Sequence, residues 1–204
     1  MSVKTKSILL IILLLVIDQA SKIYIKLNFA LGEDVEVFSW FKILFVENNG
    51  MAFGMEIFGK LFLTLFRIAA VTFLLVFIHR LIRRNARTGY ILAISMLAAG
   101  AAGNIIDSVF YGVIFNESTS AAIATIFPAG GGYERLFYGK VVDMFYFPLI
   151  TNSTGEVVFF RYIFNVADSC VTISVFLILL FFRKDLNESL ESKKAPELPH
   201  AEKE

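Results

Sequence analysis

Two Asn-x-x-Asp steps, Asn104 to Asp107 and Asn165 to Asp168, and a third aspartate, Asp143, stand in stretches otherwise made of apolar residues. A charged side chain at membrane depth costs about 2.5 to 3.5 kcal/mol on insertion scales, so an acid kept there marks a functional site by default. Two carboxyl groups held close together do not both ionise easily: the first proton leaves readily and the second is retained. One group then serves as base and the other as acid. An ionised Asp activates water against a peptide carbonyl while a protonated Asp polarises that carbonyl. A water-poor pocket at the membrane edge strengthens both effects.

The elements that position these residues follow from composition. Of 204 residues, 57% are hydrophobic and 18% charged, with 22 Phe, which is the profile of an integral membrane protein. A spanning helix needs roughly 20 mostly apolar residues, and four stretches qualify, at 7–27, 61–79, 90–111 and 161–182. Lys4 and Lys6 precede the first, Arg80, Arg83, Arg84 and Arg87 fill the turn between the second and third, and Arg183 and Lys184 follow the fourth. The positive-inside rule puts these segments and both termini in the cytoplasm. The loops at 28–60 and 112–160 then face outward. Residues 1–184 read as one membrane domain, and residues 185–204, mixed in charge with Pro196 and Pro199, as a disordered cytoplasmic tail.

Several classes fall away. A cleaved secretion signal does not fit the first span, because no A-x-A-like site follows and the apolar run resumes after Lys22. The lone Cys170 excludes an intramolecular disulfide and a thiolate metal cluster. His79 and His200 have no zinc-protease spacing. A net charge of +1 argues against a nucleic-acid partner. Ser21 and Lys22 are adjacent on a helix and do not face each other, which disfavours a serine protease. A proton-coupled transporter remains the main rival, but it calls for charges at mid-membrane, whereas Asp107, Asp143 and Asp168 gather toward the outer surface.

Around the three acids lie other polar residues. Asp18 and Lys22, four apart on the first helix, share a face in the favourable acid-first order. The alternating run from Asp34 to Ile43 has a strand period and suggests a small cradle at the membrane surface. It leads into Glu47-Asn48-Asn49-Gly50, where Asn and Gly favour turns and leave backbone groups free for an extended peptide. The small residues Ala98 to Gly103 let helices approach closely. Asn104 with Asp107, and Asn165 with Asp168, each point one way from a helix; helix packing is the plainer reading of either pair alone.

Asp18-Gln19-Ala20-Ser21-Lys22, Asn49-Gly50-Met51-Ala52-Phe53, Gly103-Asn104-Ile105-Ile106-Asp107, Val141-Val142-Asp143 and Phe164-Asn165-Val166-Ala167-Asp168 occur in the order seen in lipoprotein signal peptidases. The chain resembles the signal peptidase II family from about residue 7 to 182. That resemblance implies a four-helix, all-α inner-membrane aspartic endopeptidase with a small extracytoplasmic β-cradle at 34–46, cutting bacterial prolipoproteins before the diacylglyceryl-modified lipobox cysteine. Carried over, it makes Asp143 and Asp168 the catalytic dyad and Asn165 the neighbour that orients it. Asp18, Lys22, Asn49, Gly50, Asn104 and Asp107 become supporting residues around the substrate. It implies no metal or organic cofactor, membrane lipid as the surroundings, and a monomer.

Two departures from the family pattern stand out. Ser108 follows Asp107 where the pattern has Arg, and Arg67, a charge in the outer half of the second helix, is the candidate to replace it; snorkelling to the interface is the alternative. An insertion at about 113–138 separates the third-helix motif from Asp143. Its Gly130-Gly131-Gly132 suggests a hinge, with preceding apolar residues resting on the membrane as a flap.

Overall fold

Ser2 starts the first helix by accepting the Thr5 N–H at 3.1 Å, and α1 runs Val3–Asn28. The computed structural model describes residues 1–48, 59–151, 154 and 157–191. A hairpin of β1 (Asp34–Phe38) and β2 (Phe41–Asn48) follows, then α2 (Gly59–Arg83) and α3 (Thr88–Ile106). α3 continues through a π-helical turn, Asp107–Tyr111, into the short α4, Gly112–Ile114. β3 (Val141–Tyr146), the small hairpin β4 (Ile150–Thr151) and β5 (Val157–Phe159), and β6 (Ile163–Phe164) lead to α5 (Val166–Phe181) and α6 (Arg183–Glu191).

α1, α2 and the unit Thr88–Ile114 are each long and apolar enough to cross a membrane. α5 has 16 residues, about 24 Å of helix, and meets α6 at an 85° bend. The fourth apolar stretch therefore becomes helical later than the expected 161. Ile163 and Phe164 are taken by the sheet, pairing with Tyr146 and Phe145, and Asn165 caps the helix. Where composition reads a disordered tail from residue 185, residues 183–191 form α6. Leu186 packs on the core of the bundle, and Ser189 hydrogen-bonds the Tyr90 hydroxyl at 3.1 Å. Residues 192–204 lie outside the described residues.

The second half of α1 is polar inward and apolar outward, whereas α2, α3 and α5 also share an apolar core that includes Ile78, Leu81, Ile91, Ile94 and Ile178. On α1, Asp18, Lys22, Ile25 and Lys26 form one buried stripe, while Ile12, Leu13 and Val16 on other faces are exposed, as in a helix whose solvent is lipid. α3 is central and touches α1, α2 and α5. Its small residues allow this: a Cβ on Gly100 would stand 2.4 Å from the Ala167 carbonyl oxygen.

The strand expected at 34–46 is the β1–β2 hairpin, the outer half of an antiparallel sheet ordered β1-β2-β3-β6. The insertion is bonded along its length instead of hanging from a glycine hinge. Phe137 N–H and Gly139 N–H donate to the Val109 and Ser108 carbonyls, at 3.0 and 2.8 Å, so they take up carbonyls of the π turn. Leu31 N–H donates to the Thr119 carbonyl, and Thr64 Oγ1 to that of Phe137. Gly131 makes the turn at φ 87°, and Gly132 is pressed against Gly112 and Val113.

Candidate active site

Lys22 is the hub. It is fully buried, and its ammonium meets Asp18 Oδ2 at 3.0 Å, Asp107 Oδ2 at 2.8 Å and Asn104 Oδ1 at 2.9 Å, which uses all three of its hydrogens. Each acid is tied further. Asp18 Oδ1 accepts the Ala167 N–H at 2.8 Å, a carboxylate against the first turn of α5. Asp107 Oδ1 accepts from Gln19 Nε2 at 2.9 Å and Oδ2 from the Val142 N–H at 3.2 Å. Five elements, α1, α3, the π turn, α5 and β3, thus converge on one buried cation and its acids. Gly103 makes room for it, since a Cβ there would fall 2.5 Å from Asp18 Oδ2.

Above this hub two asparagines reach the remaining acids. Asn104 Nδ2 donates to Asp168 Oδ1 at 2.8 Å. Asn165 Nδ2 has three acceptors in reach: Asp143 Oδ1 at 2.7 Å, Asn104 Oδ1 at 3.1 Å and the Val142 carbonyl at 3.2 Å. Asn165 is also the N-cap of α5, its Oδ1 accepting the Asp168 N–H at 2.9 Å while Asp168 Oδ2 accepts the Asn165 N–H at 3.3 Å. This is a capping box. The two Asn-x-x-Asp steps are therefore not equivalent. Asn104 and Asp107 stand where α3 passes into the π turn, whereas Asn165 and Asp168 define where α5 begins.

Asp143 is buried on β3. Burial, and after it the charge of Asp168, pushes its carboxyl up to about 7, against the pull of Asn48, Lys22 and Asn165. A carboxyl near 7 beside a second carboxyl is the pairing that splits acid from base.

Asp18, Lys22, Asn104, Asp107, Asp143, Asn165 and Asp168 come together in one network; Asn49 and Gly50 lie outside the described residues. The residue before them, Asn48, donates Nδ2 to Asp143 Oδ2 at 3.3 Å. Gln19, also not singled out from sequence, bridges Asp18 and Asp107 and accepts the Tyr111 hydroxyl at 3.1 Å. Arg67 Nη1 donates to Ser108 Oγ at 3.3 Å, and the charges of Asp168, Asp107 and Asp143 reach it. Beside Asp168 opens a groove of about 410 Å³ lined by Phe160, Tyr162, Phe164, Ser169, Thr172 and Ile173, apolar apart from its acidic and hydroxyl edge.

Residues 10–183 match the family model described as signal peptidase (SPase) II. The chain is 48% identical to a lipoprotein signal peptidase of Porphyromonas gingivalis over 91% of its length and 86% of the relative's. It is 31% identical to one of Amoebophilus asiaticus, covering 94% and 83%. Two solved bacterial membrane enzyme structures, determined by the in meso method, are similar. One has a TM-score of 0.60 at 27% identity, covering 95% of this chain and 94% of that one. The other has 0.62 at 28%, covering 89% and 94%.

Proposed function

The chain belongs to the signal peptidase II family, and on that premise we propose that it is an aspartic endopeptidase, with Asp143 and Asp168 as its dyad. It hydrolyses prolipoproteins at the bond before the diacylglyceryl-modified lipobox cysteine. The observation that carries this reading is the Asn165 and Asn104 bridge, which holds Asp143 and Asp168 on one hydrogen-bonded network beside an apolar groove.

The chemistry follows from the two environments. Asp143, with its carboxyl near 7, carries the shared proton and donates it to the scissile carbonyl oxygen. Asp168 takes a proton from water as the water oxygen bonds to the carbonyl carbon. Collapse of the tetrahedral intermediate breaks the C–N bond. The leaving nitrogen receives the proton held by Asp168, and Asp143 recovers its own from the intermediate's hydroxyl. The groove of Phe160, Tyr162 and Phe164 receives the apolar part of the substrate. Asp18, Lys22, Asn104, Asp107 and Asn165 hold this geometry without touching the reacting bond, and Asn49 and Gly50 bind the extended substrate backbone.

The enzyme is a multi-pass protein of the bacterial inner membrane, a monomer with four spans, α5 being the fourth. Its termini are cytoplasmic and its active site lies near the outer surface. In support, Lys4 lines one crevice with Asn85, Ala86 and Thr88, so the basic segments of the first two helices share an end, opposite the acids. A transporter would keep its acids at mid-span.

The test is cleavage of a diacylglyceryl-modified prolipoprotein by purified wild type, Asp143→Asn and Asp168→Asn. Wild type cleaves and both variants lose activity by several orders of magnitude. Full cleavage by either variant removes that residue from the dyad, and substrate movement without cleavage favours transport.

A further inference from the structure

Glu47 and Asn48 are neighbours on β2, and their side chains leave the sheet on opposite faces. Glu47 points inward. Its side chain is 2% exposed and paired to the fully buried Lys26 of α1. Lys26 also donates to Ser118 Oγ at 2.9 Å, and that hydroxyl donates to Glu47 Oε1 at 2.9 Å. Lys140, just before β3, lies 3.4 Å from Glu47 Oε2. Rings of Phe115 and Tyr133 stand 5.3 and 5.1 Å from the Lys26 ammonium. Ser118, Phe115 and Tyr133 all belong to the insertion.

The position of this cluster matters because the ladder beside it is interrupted. Between Ile43 and Val46 on β2 the pairing to β3 shifts, from Ile43 with Phe145 to Val46 with Asp143, three steps on one strand against two on the other. Backbone pairing from the hairpin end therefore does not dictate the register of Val46, Glu47 and Asn48. A one-residue slip would turn Asn48 away from Asp143 and bring Glu47 toward it. Fixing register is the best-attested role of a buried ion pair, which otherwise adds little stability over an apolar pair of the same volume.

We propose that Glu47, held by Lys26, Ser118 and Lys140, is a register key: by locking β2 on one face it sets Asn48 against Asp143 on the other, making the insertion part of the catalytic apparatus. Glu47 is a positioning residue, acting only through Asn48. The inference rests on the dyad assignment above.

The decisive variant is Lys26→Met/Glu47→Leu, which removes the key without changing net charge. The charged groups that face Asp143, namely Asp168 from α5, Lys22 from α1 and Arg67 from α2, stay in place. So do Lys60 and Tyr133, which face Glu47. The variant keeps its thermal stability. Its kcat toward the modified prolipoprotein falls about tenfold, with KM within about twofold, and the pH limb governed by Asp143 moves to higher pH as the Asn48 donor is lost. Asn48→Ala gives the same shift, and adding it to the double variant gives none further. A double variant with the wild-type pH profile, or effects that add to those of Asn48→Ala, overturns the register key. Should the double variant not fold, Ser118→Ala, which deletes one hydroxyl, must move the limb the same way by less, and an unmoved limb is again fatal. Wild type failing to cleave at all sinks the dyad reading itself, an outcome distinct from a cleaving wild type with unshifted variants.

Discussion

Asn165 donates to Asp143 at 2.7 Å from the same side chain that caps α5. The start of a helix and the orientation of a β3 carboxyl are thereby fixed by one residue. The cap uses Oδ1 and the acid contact uses Nδ2, so the two roles separate chemically.

Asn165→Ser keeps an oxygen for the Asp168 N–H but has no amide donor for Asp143. Its unfolding midpoint stays near wild type while turnover falls about 100-fold, since the lost bond is to a carboxyl of the proposed dyad. Asn165→Ala loses the cap as well, lowering stability by a further ~1 kcal/mol. Thermal unfolding and initial rates on the same preparations check this, and equal stability of the two variants would contradict the capping half.

Asp143 predicts a pH dependence with a definite sign. Its folded carboxyl near 7 lies above the ordinary value of 3.8, so the folded state binds this proton more tightly than the unfolded chain does. The stability this brings is present in full below about pH 4 and disappears as pH rises to about 7. The loss is on the order of 4 kcal/mol, three pKa units. Asp143→Asn should flatten that part of the pH–stability curve in detergent. With Asp143 as the acid of the proposed dyad, activity needs the protonated form, so kcat should fall as pH passes above about 7. A wild-type curve that rises from pH 4 to 7 by the amount lost in the variant would reverse the sign and refute the assignment.

The acids were legible in the sequence because a charge set among apolar residues has few reasons other than function. Lys22 was legible because an acid four residues before it shares its helix face. Asn48 was not, because nothing local sets it apart within the turn-forming run Glu47-Asn48-Asn49-Gly50. That Asn48 faces Asp143 depends on strand parity after the bulge, which is set by contacts of Glu47 to Lys26 and Ser118, distant in the chain. The two Asn-x-x-Asp copies are told apart only by the fold, because a capping box and a packed helix face have the same spacing. The insertion read as a hinged flap because glycine signals permissive backbone, yet Gly132 serves close approach.

Arg67 and Ser108 form a pair that a swap can test. Their contact is 3.3 Å, and Ser108 Oγ in turn donates to the Asn104 carbonyl at 2.9 Å. Arg67→Ala should lower kcat/KM about tenfold, because a cation whose field reaches Asp168 and Asp143 is lost. Ser108→Arg alone should destabilise the fold, since Ser108 is 3% exposed and a second cation has no room. Combined, Arg67→Ala/Ser108→Arg should regain a large part of the activity, the new guanidinium filling the vacated space. Processing and stability of Arg67→Ala equal to wild type would leave snorkelling as its role.

The three glycines of the insertion separate hinge from packing. A Cβ on Gly132 would stand 2.1 Å from the Gly112 carbonyl oxygen and 2.5 Å from Val113 Cα, whereas one on Gly130 meets nothing within 4 Å. Both contacts at Gly132 are backbone and neither yields by a rotamer change, so Gly132→Ala should cost roughly 1 to 3 kcal/mol. Gly131→Ala should cost about 1 kcal/mol through its φ of 87°. Gly130→Ala should be neutral or stabilise by up to about 1 kcal/mol, by restricting the unfolded chain. Were these glycines a hinge for a moving flap, Gly130→Ala and Gly131→Ala would slow turnover with little change in melting temperature. Melting temperatures ordered Gly130→Ala, Gly131→Ala, Gly132→Ala from highest to lowest, with kcat following stability, would establish a packed bracket.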